Sequence, residues 1–403
     1  MAGGPRWRWL KQLGADFRAS IDPNLLVLAR FLGLLYGRID RRLPTGQALR
    51  QAWGRRLPAH VGWRHAFGGI AYLLFMVLVA SGVLLAVHYR PSAGEAYASV
   101  RYITSDVPFG WLVRDAHVWA ANLVVIAVLA HMARVFFAGA YKPPRETNWL
   151  VGLLLLFVVG MFGLSGFLLP WDQWAYWTTT EVLESVRSVP LVGPGVAAAL
   201  MGDVFVSGAT LSRFFAVHVI VLPWLAFALL IFHFMMVRSH GIAPPARAGG
   251  DAGPGDGGDE DRSGVRFFPT HLLRSFIVSV LVLATVLSLA VLHPRPMGDP
   301  ATPFRTPVEI QSSWILVDVA LALARYLGPW GIGMFVLLGL ALILLPLFDR
   351  RPERRLNRRP LAAALGAVFL LLFVAAWLAG RSIRSVSPEV GPPAGDRVGA
   401  VAP

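Results

Sequence analysis

Apolar residues run in long blocks separated by polar, Pro- or Gly-containing breaks. Seven blocks are long enough to cross a bilayer: about 67–88, 115–137, 149–169, 212–237, 272–292, 330–348 and 361–379. About 20 apolar residues at 1.5 Å each cover the hydrocarbon layer, so the pattern predicts an all-α polytopic membrane protein with about seven transmembrane helices. Between the fourth and fifth blocks, residues 241–264 are dense in Gly, Asp, Pro and Ala and read as a flexible linker. The expected organisation is an N-terminal arm (1–57) with an amphipathic surface helix over 21–43, a four-helix domain (58–240), the linker, a three-helix C-terminal domain (265–380) and a tail (381–403). The Pro-rich stretch 293–311 should break helix, and 312–326 is expected to form a short surface helix before the sixth span. No solenoid-type repeat is present.

Composition agrees with a membrane setting. At 403 residues a soluble chain would carry two or three domains, but 56% hydrophobic residues, 15% charged residues and a mean hydropathy of +0.58 indicate a polytopic membrane protein. The absence of cysteine excludes disulfides, thiolate metal sites, covalent c-type haem and iron–sulfur ligation by this chain. Any iron–sulfur cluster must belong to a partner. The net charge of +14 could suggest nucleic acid, but much of the excess lies in loops and termini beside apolar blocks, where membrane orientation explains it. Arg350, Arg351, Arg354, Arg355, Arg358 and Arg359 follow the sixth block, Lys142 and Arg145 follow the second, and the N-terminal arm is Arg-rich. All fall on one side, which the positive-inside rule makes cytoplasmic; the N-terminus is then cytoplasmic and the C-terminus not. Residues 1–20 lack an apolar core, so no cleavable signal peptide is expected.

Chemistry enters with four histidines. His117 and His131 are fourteen residues apart on one block, and His218 and His233 fifteen apart on another. Each pair spans roughly 21–23 Å of helix, with both side chains near one stripe. Two such helices face to face would offer two stacked bis-histidine sites, the ligation a haem iron needs for electron transfer. Taken singly, an intramembrane histidine also packs or hydrogen-bonds within a bundle. Gly68 with Gly82, and Gly152 with Gly166, repeat the fourteen-residue interval on two further blocks. Such glycines serve close helix packing, and a flat porphyrin edge needs the same missing side chain. Arg114 and Arg134 stand three residues outside His117 and His131. They could pair with haem propionates or snorkel to the interface.

The segments GGIAYLLFMVLVASG, YRPSAGEAYASVRYI, RDAHVWAANLVVIAVLAHMARV, KPPRETNW, LSGFLLPWDQWAYW, TLSRFFAVHVIVLP and HFMMVRSHGI resemble cytochrome b of the quinol-oxidising bc-type complexes. The resemblance runs from about 58 to 379 and is strongest to the plastid type, whose four-helix and three-helix parts are separate chains; here they are fused. It implies two b-type haems, with His117 and His218 as ligands near the non-cytoplasmic face and His131 and His233 near the cytoplasmic face. It further implies a quinone/quinol substrate, a Rieske iron–sulfur protein and/or c-type cytochrome as partner, a homodimer within a larger complex, and a bacterial inner membrane. Pro170, Trp171, Asp172 and Gln173 match the motif beside the quinol-oxidation site, and Arg238 a position beside the cytoplasmic quinone.

Three departures from that pattern bear on mechanism. Where the family carries Pro-Glu-Trp-Tyr, this chain has Ser312, Ser313, Trp314 and Ile315, and a serine hydroxyl cannot accept a quinol proton near neutral pH. Glu309 and Asp318 are the candidate substitutes, or else exposed loop and surface-helix carboxylates. Ala66 stands where the plastid type binds a covalent haem, so none is expected, and His271 replaces an acidic residue at the start of the fifth block. Open alternatives are a dihaem subunit reacting with quinone at one face and serving a non-Rieske partner, a transporter using intramembrane His and Arg without haem, and a haem-bearing remnant that turns over no electrons.

Overall fold

The computed structural model describes residues 54, 56–58, 60–244, 264–307 and 314–381. The expected arm helix at 21–43, most of the linker and Glu309 lie outside these residues. Two compact units are distinguished. In the smaller, β1 (Arg56–Leu57) pairs antiparallel with β2 (Val265–Arg266), and a short turn carrying His271 leads into the fifth long helix.

The larger unit is a helical bundle. Its helices are α1 (Ala66–Ala86), α2 (Ala96–Ser105), α3 (Gly110–Phe137), α4 (Glu146–Phe167), α5 (Gln173–Arg187), α6 (Gly193–Met201), α7 (Gly208–Ala216), α8 (Leu222–His240), α9 (Leu272–Leu292, entering from the smaller unit), α10 (Ile315–Leu327), α11 (Pro329–Phe348) and α12 (Pro360–Arg381). Each of the seven expected spans is a helix. Six reach membrane-crossing length and apolarity, α7 and α8 counting as one continuous rod, and α11 adds a shorter apolar stretch over Val336–Phe348. The chain is a multi-pass helical membrane protein.

Small residues let helices approach closely. Ala116, Ala120 and Ala127 of α3 pack with Leu74 of α1 and with Val286 and Ala290 of α9. At one end of the bundle, called upper here, α2, α5 and α6 fill loops whose mixed composition hid them from an apolar-length reading. Asp172 caps α5 by accepting the Ala175 N–H at 2.8 Å. Gly202, in the left-handed region at φ +71°, ends α6.

One expectation is overturned. Residues 312–326 were expected as a surface helix, but α10 buries Ile315, Val317, Asp318, Val319, Leu321 and Ala322. It packs against α11, which follows it directly, and against α12 and α5, whose places beside it are set by tertiary packing and not by local pattern.

The opposite, lower end is closed by a polar knot. Lys142 is buried and spends its three protons on Asp349 Oδ1 (2.8 Å) and the carbonyls of Arg351 (2.7 Å) and Glu353 (2.8 Å). Tyr141 donates to Asp349, and Arg359 donates to Tyr141 and Asp349. Burial pushes the Asp349 carboxyl up, but the hydrogen bonds from Lys142 and Tyr141 outweigh it and hold the group below the usual carboxylate range.

Candidate functional site

The four histidines meet as two pairs, one above the other. His117 of α3 faces His218 with ring centres 6.4 Å apart, and His131 faces His233 at 6.3 Å. Two imidazoles binding one metal from opposite sides, each at about 2 Å, hold their ring centres ~6 Å apart. The spacing therefore fits a metal between each pair.

The unequal intervals, fourteen and fifteen, are reconciled by local backbone. At about 100° per residue, fourteen residues stop ~40° short of four turns, whereas fifteen in a regular helix would overshoot them by ~60°. A π-turn over Val217–Val221 absorbs the extra residue, with the Leu222 N–H reaching back to the Val217 carbonyl. Pro223 supplies a cause: it lacks the N–H that would bond the Val219 carbonyl, and its ring crowds that carbonyl. A proline five residues after His218 was the available signal in the sequence.

Each glycine of the repeated interval stands against one imidazole. A Cβ on Gly68 would lie 3.2 Å from His131, on Gly82 3.3 Å from His117, on Gly152 3.9 Å from His233, and on Gly166 2.5 Å from His218. The two helices that carry no ligands, α1 and α4, thus make room for the rings carried by α3 and α8.

Two serines missed by the sequence reading orient the upper pair. Ser81 Oγ donates its one proton to the Val77 carbonyl at 2.6 Å, so its contact with His117 Nδ1 at 2.8 Å runs from Nδ1–H to the hydroxyl oxygen. Ser165 does the same, donating to Met161 at 2.6 Å and accepting from His218 at 3.1 Å. Both imidazoles are left with Nε2 unprotonated, the form that ligates metal. Each serine directly precedes its glycine, Ser81-Gly82 and Ser165-Gly166, a repeat visible in the sequence. At the lower pair, His233 Nδ1 lies beside the Asn148 carbonyl without regular hydrogen-bond geometry.

A cavity of about 480 Å³ opens on the upper pair, lined by His117, His218, Gly82, Gly166, Arg114 and Trp314 among others. Arg114 is buried and donates to Asp115 (3.0 Å) and to the Arg295 carbonyl (2.7 Å). Arg134 is half-buried in the last turn of α3, and Arg238 is exposed near the end of α8.

The Pro170–Gln173 segment clamps the connection between α9 and α10. Asp172 Oδ2 accepts the Gly298 N–H at 3.0 Å, Gln173 Oε1 accepts the Thr302 N–H at 2.7 Å, and Gln173 N–H donates to Asp299. Trp171 is buried with φ +52° and lies outside the cavity lining, whereas Asp172 is part of it. Burial pushes the Asp172 carboxyl above the usual range against the pull of its backbone donors.

Trp314 packs on Gly163, where any side chain would overlap its ring, and donates to the Ala121 carbonyl. Its neighbour Ile315 is held by Asn122, whose Oδ1 accepts the Ile315 N–H at 3.1 Å. Asp318 is 5% exposed, not the surface carboxylate allowed for from the sequence, and lies on the far side of this wall in a second cavity.

Two imidazole pairs stacked between facing helices define the class as a helical membrane protein with two candidate metal-holding sites in its bundle. Comparison with known proteins then gives the family. The Cytochrome b/b6/petB profile matches residues 53–241, and the Cytochrome b(C-terminal)/b6/petD profile matches 300–389. Cytochrome b6 of Tupiella akineta is 38% identical over 211 residues, covering 52% of this chain and 98% of that protein. Cytochrome b6 of Gracilaria tenuistipitata var. liui is 38% identical over 214 residues, covering 53% and 100%. A chain of a solved structure described as hyperthermophilic respiratory Complex III superposes with a TM-score of 0.76 at 30% identity, covering 87% of this chain and 92% of that one. The chain belongs to the cytochrome b/b6 family and is a membrane cytochrome b of quinol-oxidising electron transfer.

Proposed function

We propose that this chain is the dihaem subunit of a quinol-oxidising complex in a bacterial inner membrane, holding one b-type haem between His117 and His218 and a second between His131 and His233. The observation that carries the reading is the pair of imidazole separations, 6.4 and 6.3 Å, each with glycines opposite the rings. Bound there, haem would supply a one-electron redox couple, held by His117 with His218 and by His131 with His233. The residues of this chain then hold, orient and bias it. The glycines leave room at the ring edges, Arg114 and Arg134 offer guanidinium groups to propionates, and no cysteine is present for covalent attachment.

The serines support a direction of flow. Two hydroxyl oxygens accept from the ligand rings of the upper pair, which would raise ligand basicity and favour an oxidised metal held there; among the described residues the lower pair has no such serine. Electrons entering at the upper end would run downhill to the lower pair. The Arg-rich loops put the lower end in the cytoplasm, so quinol is oxidised at the outer face near Asp172, and quinone near Arg238 takes up electrons inside. The acceptor of the other electron is a Rieske-type iron–sulfur protein and/or a c-type cytochrome, in an assembly with two copies of this chain.

The test is spectroscopic. The purified complex should contain two b-type haems for each copy of this chain, and His117→Ala or His131→Ala should each abolish one and leave the other. A wild-type complex without reduced b-type bands, or with all haem retained in both variants, would refute the assignment.

A further inference from the structure

One helical turn beyond each histidine pair, towards its own end of the bundle, the two ends differ in character. Gly68 of α1 stands against His131 of α3 and Gly82 against His117, so these helices run antiparallel with matched levels. Residues three or four apart share a helix face. Three residues below Gly68 comes His65, and three below His131 comes Arg134. Four residues below Gly152 on α4 comes Asn148, while its neighbour Trp149 is turned to α11 and donates to the Leu342 carbonyl at 2.8 Å. On α8 the same level is held by Met236. The corresponding upper positions are Leu85, Arg114, Leu169 and Phe215, all of them lining the upper cavity. Arg114 is the polar member there, and it is already bonded to Asp115 and to the Arg295 carbonyl.

The lower groups are donors without an anion. His65 Nδ1 accepts the Gly62 N–H at 3.3 Å, which leaves the ring proton on Nε2 as a donor. Arg134 acts electrostatically on His65, as do His60, whose ring centre is 5.9 Å away, and Arg64. Among the described residues no acidic side chain acts on either His65 or Arg134. Asn148 Oδ1 is buried without a hydrogen-bond partner, and a half-turn of the amide puts the Nδ2 donor in its place. Buried polar atoms are as a rule satisfied, so this one marks a position for a ligand group.

We propose that His65, Arg134 and Asn148 form a carboxylate-binding collar at the lower end of the bundle, and that it takes the propionates of the haem held by His131 and His233. The assignment rests on the dihaem reading above, to which it adds His65 and Asn148. A guanidinium, an imidazole N–H and an amide N–H together match the several acceptor sites of carboxylate oxygens. At the upper end the leucines and the phenylalanine offer no such donors. Compensating carboxylate charge beside the lower iron favours its reduced state, which reinforces the downhill run of electrons from the upper pair to the lower.

The experiment uses the intact complex in membranes carrying His65→Leu, His65→Gln or Asn148→Leu. In redox titrations His65→Leu should shift the reduction equilibrium of the lower haem threefold to tenfold towards the oxidised form, a fall of ~30–60 mV at 59 mV per tenfold. Asn148→Leu should shift it in the same direction. His65→Gln keeps an N–H donor and should retain most of the wild-type potential, and the upper haem should be unmoved in all three variants. Resonance Raman spectra taken with the lower haem alone reduced should show its propionate bending band displaced in His65→Leu and close to its wild-type position in His65→Gln. An unchanged or raised lower potential in His65→Leu overturns the proposal, as do equal shifts in His65→Gln and His65→Leu, which would indicate a packing role. Should His65→Leu not assemble, a propionate band and a lower potential both unmoved by Asn148→Leu overturn it equally. Absence of b-type bands from the wild type would instead remove the dihaem reading beneath it.

Discussion

Ser81→Ala removes one oxygen from the structure, the one that accepts the His117 Nδ1–H at 2.8 Å inside a buried contact. The His117 ring is then left with the Leu78 carbonyl as its remaining hydrogen-bond partner, and the imidazole becomes a weaker electron donor through Nε2. A net hydrogen bond is worth about 1 kcal/mol, range 0.5–1.5. For a one-electron couple 1.4 kcal/mol corresponds to about 59 mV, so the potential of the upper haem should rise by ~20–60 mV. Ser165→Ala acts on the opposite ligand of the same haem through a longer contact of 3.1 Å and should give a shift of the same sign and smaller size. Among the described residues no serine contacts His131 or His233, so the haem there should hold its potential. Redox titration of the b-type absorption bands in both single variants and the double variant measures all three quantities. A falling potential in Ser81→Ala, or a shift confined to the lower haem, would refute the assigned tautomer and the pairing of Ser81 with His117.

Three other outcomes follow from the same geometry. Gly166→Ala puts a methyl group 2.5 Å from the His218 ring and should strip the upper haem, whereas Gly152→Ala, with 3.9 Å to His233, should retain the lower one; haem content by pyridine haemochrome decides. Asp349→Ala leaves Lys142 buried without its carboxylate and should cost about 3 kcal/mol in a detergent-stability assay. Because the folded-state Asp349 carboxyl is held below its ordinary range, its contribution is present at neutral pH and is lost as pH falls below about 4, so wild type and variant should converge in stability in acid. Asp172→Ala removes the α5 N-cap and the Gly298 anchor together and should cost about 2 kcal/mol, with proteolysis after residue 298 accelerated as the readout.

The membrane class, the seven helices and both histidine pairs could be read from the chain because apolar length and helical phase are local properties. The sequence reading puts the second pair near one stripe like the first, but the backbone that achieves this over fifteen residues, the π-turn at Val217–Val221 beside Pro223, appears only in the structure. Tertiary structure decided what depends on distant partners. Helix α10 looks amphipathic enough to lie at a surface until α12 covers it and buries Asp318. Ser81 is an unremarked helix residue until α3 brings His117, 36 positions away, to its oxygen. Lys142 counts as one more loop cation until Asp349, 207 positions on, neutralises it in the lower knot. The sequence alone settled which residues could ligate, since residue type and spacing set that. Which nitrogen is free to do so was settled by tertiary structure, because a tautomer is set by the partner of the other ring nitrogen, and that partner sits on another helix.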